Sequence, residues 1–278
     1  MRIAYLGPAG TFTEDALGEA LGDAAELEPL RTATIADAIL AVEQGEAKRA
    51  LVPFENSIEG SVRSTLDTLA FEAPGVTIVG EHDYAVRAML IAREPVDLEA
   101  VAAVLSHPQP LAQCARFLRE RLPGAERRSV ESTAAAVKLV SESAAPWAAI
   151  GAKAAAELYG CTILREGVED EANNVTRFVW IAPAGTEPDA GEGWKTSLVF
   201  SELGEDHPGA LVDALREFSS REVNLTRIES RPLRLELGRY MFFCDLEGAS
   251  ADPAVAEAID ALRGKAESVR ILGSYPTR

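Results

Sequence analysis

The sequence predicts an α/β protein with a second, smaller α+β domain at its C-terminal end. Across residues 1–182, short apolar runs alternate with helical patterns, an order typical of largely parallel sheets. Residues 183–193 (PAGTEPDAGEG) have no apolar periodicity and are rich in proline, glycine and acidic residues, so they are predicted to be a linker. Residues 194–278 then show the order strand, helix, strand, strand, helix, strand, which indicates a ferredoxin-like βαββαβ unit.

Strands are predicted from short apolar runs, and helices from apolar residues that recur with a helical period. In the first part the strands are Ile3–Leu6, Ala50–Pro53, Val76–Val79, Ala85–Ala92, Val101–Leu105, Ala148–Ile150, Thr162–Leu164 and Phe178–Ala182. Capping residues mark helix starts there, two of them with the capping-box spacing: Thr11 with Glu14, Ser106 with Gln109, Thr34, and Ser132 or Thr133. In the second part the strands are Ser197–Phe200, about Asn224–Ser230, Leu233–Leu246 with a turn at Gly238, and Val269–Leu272, and the helices are Leu211–Phe218 and Pro253–Lys265.

Composition excludes several classes of protein. The 278 residues carry a formal net charge of −17, which disfavours binding to nucleic acid or to an anionic membrane surface. No apolar run approaches the ~20 residues that span a bilayer, and the N-terminus lacks a signal-peptide core, so we expect a cytoplasmic protein. The three cysteines are far apart and outside any CxxC spacing, so neither a disulfide framework nor a zinc site is expected.

Two segments near the N-terminus carry candidate binding groups. The turn Gly7–Phe12 joins a strand to a helix, and the N–H groups of such a helix end suit a carboxylate, although a tight turn capped by Thr11 explains it equally well. The segment Pro53–Ser61 places Glu55, Asn56 and Ser57 just beyond a strand, where α/β sheets bind ligands. A polar turn with local hydrogen bonds explains that second segment too.

Two further segments add amide and hydroxyl groups. Ser106–Cys114 places two glutamines four positions apart near a helix start, where they can bind a carboxylate or hydroxyl. Within it, Cys114 belongs to the apolar stripe and is favoured as a core residue over a nucleophile, and a general-base role for His107 is the minority interpretation. In Asn173–Phe178, strand alternation would point Thr176 and Arg177 to opposite faces.

Taken together and in order, these segments resemble a prephenate dehydratase with a C-terminal ACT domain. The resemblance covers nearly the whole chain through GPAGTFT, PFENSIEGSV, SHPQPLAQC, STAAAV, AAIGAKAAAELYG, NNVTRF, HPGAL and NLTRIESRP. It implies loss of CO2 and the ring hydroxyl from prephenate, giving phenylpyruvate, with no cofactor and no metal. It also implies a two-lobed, periplasmic-binding-protein-like catalytic domain over residues 1–182, with lobe one at about 1–78 and 160–182 and lobe two at about 79–159.

The resemblance assigns roles residue by residue. The family's essential threonine maps to Thr176, and the other catalytic positions map to Glu55, Asn56, Ser106 and Gln113. Substrate binding is implied for Thr11 and Ser57, with Arg177 as a secondary candidate. Phenylalanine sensing, between ACT domains of neighbouring subunits in a homodimer or homotetramer, is implied for a longer set: Gly209, Ala210, Leu211, Asn224, Leu225, Glu229, Ser230 and Arg231.

Two alternatives stay open at this point. In one, the substrate carries an amino group, and the protein is an arogenate dehydratase. A non-catalytic amino-acid-sensing protein with a similar cleft is the other alternative, but it predicts degraded catalytic motifs, whereas Asn56, Ser106 and Thr176 are all present.

Overall fold

A computed structural model describes residues 1–22, 28–203 and 208–277. Its strands are β1 (Arg2–Leu6), β2 (Glu28–Thr32), β3 (Arg49–Asn56), β4 (Gly60–Ser61), β5 (Val76–Ala85), β6 (Met89–Ala92), β7 (Ala103–Ser106), β8 (Glu126–Ser129), β9 (Trp147–Gly151), β10 (Thr162–Glu166), β11 (Val175–Pro183), β12 (Glu192–Ser201), β13 (Leu225–Pro232), β14 (Tyr240–Glu247) and β15 (Ser268–Thr277). Its helices are α1 (Phe12–Leu21), α2 (Ile35–Glu43), α3 (Arg63–Phe71), α4 (Pro108–Gln113), α5 (Ala115–Arg121), α6 (Thr133–Glu142), α7 (Lys153–Tyr159), α8 (Ala210–Ser219) and α9 (Pro253–Arg263).

The first sheet has the strand order β2-β1-β3-β11-β5, with β4 paired to β3, within the described residues. Strand β1 is buried from Ile3 to Tyr5, which is why its apolar run predicts it, and it pairs in parallel with β2. Strand β2 (EPLRT) was not predicted. It lies at the edge of the sheet, is largely exposed and contains a proline, so it has no apolar alternation that a sequence could reveal.

The second sheet has the order β10-β6-β9-β7-β8 in the described chain. Strands β7, β8 and β9 are parallel neighbours, whereas β6 and β10 run antiparallel. Two separate α/β sheets confirm the prediction of a two-lobed α/β region. The predicted strand Ala85–Ala92 is wrong as one element, because β5 ends in the first sheet and β6 starts in the second.

The chain passes between the two sheets at other positions than those expected for the two lobes. The family resemblance implies crossings near residues 78 and 160, whereas β5 continues to Ala85 and β10 pairs with β6 in the second sheet. The chain therefore crosses between Ala85 and Met89 and returns between Glu166 and Val175. The two crossing segments are hydrogen-bonded to each other, since Val86 N–H donates to the carbonyl of Asn174 at 2.9 Å.

Two of the predicted helix starts have clear side-chain caps. At the start of α2, the Thr34 hydroxyl accepts from the backbone of Asp37 and the Asp37 carboxylate accepts from the backbone of Thr34, a reciprocal pair. At the start of α6, Ser132 accepts from the backbone of Ala135 at 3.0 Å. None of the helices in the described ranges is both long and apolar enough to cross a membrane.

The C-terminal strands form a sheet in the order β13-β14-β12-β15. With α8 after β12 and α9 after β14, the chain order is βαββαβ, which confirms the predicted ferredoxin-like unit. Alternate residues of β12 and β14 pack against the two helices in one core, with Phe200, Phe218 and Leu262 among its buried side chains. The predicted strand Leu233–Leu246 begins later, at Tyr240.

The described chain forms two compact units. One contains residues 39–50, 61–82 and 179–278, and the other contains the remaining residues. Within the first of these units, helix α3 packs with the C-terminal strands. The Arg270 guanidinium donates to the carbonyls of Leu69 and Ala73 at the end of α3, and Thr77 donates to the carbonyl of Leu272 at 3.1 Å. A buried ion pair joins Lys195 of β12 to Glu81 of β5 at 2.8 Å.

A substitution at Gly273 tests the close packing of β15 against Ile78. A Cβ there would lie 2.7 Å from the Cβ of Ile78 and even closer to the Ile78 carbonyl oxygen. Overpacking of this kind typically costs about 1–3 kcal/mol, so Gly273→Ala should lower the thermal midpoint of unfolding by several degrees. The matched control is Gly18→Ala in α1, where a Cβ meets nothing within 4 Å and alanine favours the helix. Equal thermal midpoints for the Gly273→Ala variant and the wild type would contradict the described packing.

Candidate functional site

The turn after β3 holds the Asn56 side chain in one orientation. Its Oδ1 accepts hydrogen bonds from the backbone N–H groups of Ile58 and Glu59, each at 3.0 Å. Because backbone N–H groups can only donate, the amide oxygen must lie on their side and the NH2 group on the other. This Asx-type turn is the local reason why Nδ2 of Asn56 points toward the start of β11.

Nδ2 of Asn56 donates to two side chains of the NNVTRF segment. It lies 3.0 Å from Oγ1 of Thr176 and 2.7 Å from Oδ1 of Asn174. Thr176 is therefore the acceptor in this contact, and its own hydroxyl hydrogen points away from Asn56. Within residues 1–22, 28–203 and 208–277, no acceptor for that hydrogen is found. A hydroxyl that accepts a hydrogen bond is polarised and becomes a better donor.

Asn174 continues the hydrogen bonding to helix α4. Its Nδ2 donates to Oε1 of Gln113 at 3.2 Å, and Nε2 of Gln113 donates to Oε1 of Glu59 at 3.3 Å. Each orientation follows from the previous one, because Asn174 must present oxygen to Asn56 and therefore nitrogen to Gln113. We call Thr176, Asn56, Asn174, Gln113 and Glu59 the amide network.

Glu55 and Arg177, the chain neighbours of Asn56 and Thr176, form a contact of their own. Nη1 of Arg177 is 3.7 Å from Oε2 of Glu55, and its guanidinium lies 5.0 Å from the centre of the Phe54 ring. Arg177 is buried, with 9% of its surface exposed. Thus Thr176 contacts Asn56 whereas Arg177 contacts Glu55, as strand alternation predicts.

Ser57 ties the turn after β3 to the start of β11. Its hydroxyl donates to the carbonyl of Asn173 at 2.8 Å and accepts from the backbone of Val175 at 2.9 Å, and its own N–H donates to the carbonyl of Val175. These contacts hold the segment on which Thr176 depends. A substrate-binding role for Ser57 stays a prediction.

The capping box predicted at Ser106 is wrong. Ser106 is fully buried at the end of β7, and its hydroxyl donates to the carbonyl of Ile150 at 2.7 Å. His107 caps α4 instead, because its Nδ1 accepts from the backbone of Gln109 at 3.3 Å. The His107 side chain thus has a structural contact, and Ser106 links the ends of β7 and β9.

The capping box predicted at Thr11 is also wrong, since Thr11 occupies the N-cap of α1 but its side chain makes no capping bond in the described chain. The Glu14 carboxylate accepts from the backbone of Gly10 at 2.5 Å and also bonds Tyr5 and Arg31. Burial raises the pKa of Glu14, but these hydrogen bonds outweigh it and lower the pKa below its usual range. A charged Glu14 therefore competes with any substrate carboxylate for this turn.

Cys114 is a core residue between α4 and α5, as favoured from the sequence. Burial, assisted by the charges of Asp170 and Glu169, raises the pKa of its thiol to about 12. At neutral pH the sulfur is protonated and weakly nucleophilic. In the part of the chain that the structure describes, no three His, Cys, Asp or Glu side chains are arranged as metal ligands.

A cavity of about 330 Å³ opens beside the amide network. Gln113, Asn174 and Glu59 line it, together with the acidic run Glu169, Asp170 and Glu171. Sequence reasoning missed Asn174 and Glu59 as site residues, although both lie within the motifs that were singled out. For Asn174 the sequence did contain a usable signal. Residues two positions apart in an extended segment point to the same side, so Asn174 is expected to share the side of Thr176.

Family models identify both parts of the chain. Residues 3–186 match the model described as prephenate dehydratase, and residues 202–264 match the model described as ACT domain. The chain belongs to the prephenate dehydratase family. A prephenate dehydratase from Mycobacterium sp. (strain JLS) is 45% identical over 285 residues, covering 99% of this chain and 89% of the relative. A bifunctional chorismate mutase/prephenate dehydratase from Neisseria gonorrhoeae is 40% identical, covering 100% of this chain and 75% of the relative.

Solved structures agree with this prephenate dehydratase assignment. The prephenate dehydratase of Arthrobacter aurescens in complex with L-Phe has a TM-score of 0.89 and 38% identity, covering 99% of this chain and 90% of that one. A protein described as a novel type of quorum quenching acylase has a TM-score of 0.88 and 34% identity, covering 100% and 98%. That description assigns a different activity to a protein with this fold.

The ACT domain distributes its predicted effector residues over two faces of β13. Arg231 pairs with Asp67 of α3 through Nε at 3.0 Å and Nη2 at 2.7 Å. Alternation puts Glu229 on the same face of the strand and Ser230 on the opposite one. The remaining predicted residues lie at the start of α8 or β13: Gly209 is the N-cap of α8, Ala210 and Leu211 open that helix, and Asn224 and Leu225 lead into β13. His207 of the HPGAL motif falls outside the described residues.

Proposed function

We propose that the chain converts prephenate to phenylpyruvate, CO2 and water, with Thr176 as the donor to the departing hydroxyl. The observation that carries this proposal is the Asn56–Thr176 contact of 3.0 Å, in which the threonine oxygen accepts. The turn after β3 gives the amide no other orientation, so the hydroxyl hydrogen of Thr176 is directed to a partner other than Asn56. The departing ring oxygen of the substrate is a suitable acceptor.

The reaction needs a proton donor at the departing ring oxygen. As the bond to the ring carboxylate breaks, its electron pair forms a ring double bond, and the bond to the hydroxyl oxygen breaks on the far side of the ring. That oxygen leaves as water by taking the proton of the Thr176 hydroxyl, because hydroxide is a poor leaving group, and a proton from solvent then restores that hydroxyl. Aromatisation supplies the driving force, and general acid catalysis contributes about 10²–10⁴ in rate.

The other site residues receive supporting roles in this proposal. Asn56 and Gln113 hold and polarise the donor, and Ser106 fixes the end of β7 from which α4 starts. Arg177, buried against Glu55 and Phe54, is proposed to bind a substrate carboxylate, which would then take the place of Glu55 beside the guanidinium. Thr11 and Ser57 remain proposed substrate contacts.

Arogenate is the second candidate substrate, and the acidic cavity is the observation that favours it. The carboxylates of Glu59 and Glu171 in its lining would suit an ammonium group better than a ketone, whereas Glu169 is paired with Arg87 and Asp170 accepts from the backbone of Arg116 and Phe117. Rates measured with prephenate and with arogenate decide between them.

An acylase activity is not proposed, because acyl transfer needs an activated nucleophile. The Ser106 hydroxyl is bonded to a backbone carbonyl, and the Cys114 thiol is protonated.

We further propose that phenylalanine acts on the ACT domain and that β13 transmits its effect. Arg231 and Arg234 both bond Asp67, with Nη2 of Arg234 at 2.6 Å from its Oδ2. Helix α3, which carries Asp67, follows the Asn56 turn in the chain after the two-residue strand β4. Burial raises the pKa of Asp67, but the two guanidinium groups outweigh it and hold that pKa below its usual range, so the pairs are intact at neutral pH.

The division of the chain into domains is proposed from the sequence. We propose residues 1–182 as the catalytic domain, 183–193 as a linker and 194–278 as the regulatory ACT domain. The end of β11 at Pro183 and the start of β12 at Glu192 support this division. Assembly as a homodimer or homotetramer and a cytoplasmic location are proposed with it.

Replacing the Thr176 hydroxyl tests the catalytic proposal. Thr176→Val keeps the shape but removes the donor, so kcat for phenylpyruvate formation should fall by about 10²–10⁴, whereas Thr176→Ser should keep much of the activity. The control is Thr186→Val in the exposed segment after β11, which should match the wild type. Normal turnover by a folded Thr176→Val variant would refute the role of this hydroxyl.

Removing the Asp67 charge tests the regulatory proposal. In Asp67→Asn the paired guanidinium groups lose their anion, so the phenylalanine concentration that halves the rate should rise by about 5-fold or more, within the usual range of allosteric coupling. Initial rates with prephenate at increasing phenylalanine measure this. Asp260→Asn, which breaks an exposed Asp–Arg pair on α9, is the matched control and should leave the curve in place. An unchanged curve for Asp67→Asn would place transmission elsewhere.

A further inference from the structure

Asn174 occupies a position that neither strand pairing nor the predicted roles explain. It lies in the segment through which the chain returns from the second sheet to the first, and only 2% of its surface is exposed. Its backbone carbonyl accepts from Val86 of the outgoing segment at 2.9 Å. A buried amide side chain at such a crossing must satisfy its polar atoms locally, and both of its ends are bonded to proposed site residues.

The two ends of the Asn174 amide contact residues carried by different sheets. Its oxygen accepts from Asn56, which ends β3 of the first sheet, at 2.7 Å. Its nitrogen donates to Gln113, on the helix that follows β7 of the second sheet, at 3.2 Å. The side chain therefore ties the geometry of Gln113 to that of the donor Thr176.

The direction of these bonds leaves no freedom to flip an amide. Oδ1 of Asn56 is held by two backbone N–H groups, so its nitrogen, which also donates to the carbonyl of Val175 at 3.3 Å, faces Asn174. Asn174 must present its oxygen there, because its own NH2 group would oppose another donor. Asn174 then presents nitrogen to Gln113, and Gln113 presents nitrogen to the Glu59 carboxylate. If one amide in the series turned over, two oxygens would face each other.

We propose that Asn174 is a positioning residue for the dehydratase reaction. It acts through Asn56, whose N–H group polarises Thr176, and through Gln113, and it does not need to touch the substrate. The proposal rests on the proposed function. It predicts that loss of the correct donor and acceptor pattern at residue 174 lowers kcat, because a misplacement of about 1 Å at a reacting group can cost about 10²-fold.

Asn174→Asp tests the pattern with almost no change in shape. The introduced carboxylate can still accept from Asn56 but cannot donate to Gln113, so kcat at neutral pH should fall about 10- to 100-fold while KM for prephenate changes less. Protonation at low pH returns a donor to that side chain. The kcat of this variant, relative to wild type, should therefore rise as the pH falls toward 5, which a merely structural defect would not produce.

Asn173→Asp is the matched control. It makes the same chemical change one residue earlier, at an exposed side chain, and it should keep the kcat and the pH profile of the wild type. Circular dichroism and the thermal midpoint verify that each variant is folded. If Asn174→Asp does not fold, Asn174→Ala and Gln113→Ala are compared with their double variant, whose loss in kcat should be smaller than the product of the single losses.

The outcomes separate this inference from the proposed function. A wild-type protein without turnover of prephenate or arogenate would refute the function itself. Normal wild-type turnover, together with a folded Asn174→Asp variant whose kcat lies within twofold of it at neutral pH, would refute the positioning role. In the double-variant comparison, losses that simply multiply would refute it as well.

Discussion

Two backbone N–H groups in the turn after β3 orient the Asn56 amide, and the geometry of the site depends on that anchor. Most amide side chains can turn over at little cost, but this one cannot, because its oxygen faces donors that have no alternative. The direction of every later hydrogen bond in the amide network follows from it. Accordingly, Thr176 accepts from Asn56 and keeps its own hydrogen for another partner. A local turn thus sets the polarity of a hydroxyl that lies 120 residues away in the sequence.

The sequence predicted those features that have a local physical signal. Buried strands such as β1 and β9 show as apolar runs, and the caps at Thr34 and Ser132 show as residue types at a fixed spacing. Edge strand β2 carries no such signal. At Ser106 the spacing of a capping box was present, but the buried carbonyl of Ile150 competed for the hydroxyl. That competition depends on the pairing of β7 with β9, which no local pattern reveals.

The same reasoning explains why the site was predicted only in part. Asn56, Gln113 and Thr176 came from the family resemblance, whereas Asn174 was overlooked. Its importance arises only where the crossing segment brings it between Asn56 and Gln113. On β13, the motif suggested three neighbouring effector residues, but strand alternation separates Ser230 from Arg231, and Arg231 is paired with Asp67. With a net charge of −17, recognition of an anionic substrate must depend on such local placement rather than on long-range attraction.

Neutron diffraction from deuterium-exchanged crystals would test the central claim most directly, because it locates the deuterons of side-chain amides and hydroxyls. The account predicts two deuterons on the Asn56 atom that faces Thr176 and Asn174, and a Thr176 deuteron directed away from Asn56. A Thr176 deuteron directed at Asn56, with the amide oxygen of Asn56 as its acceptor, would contradict it.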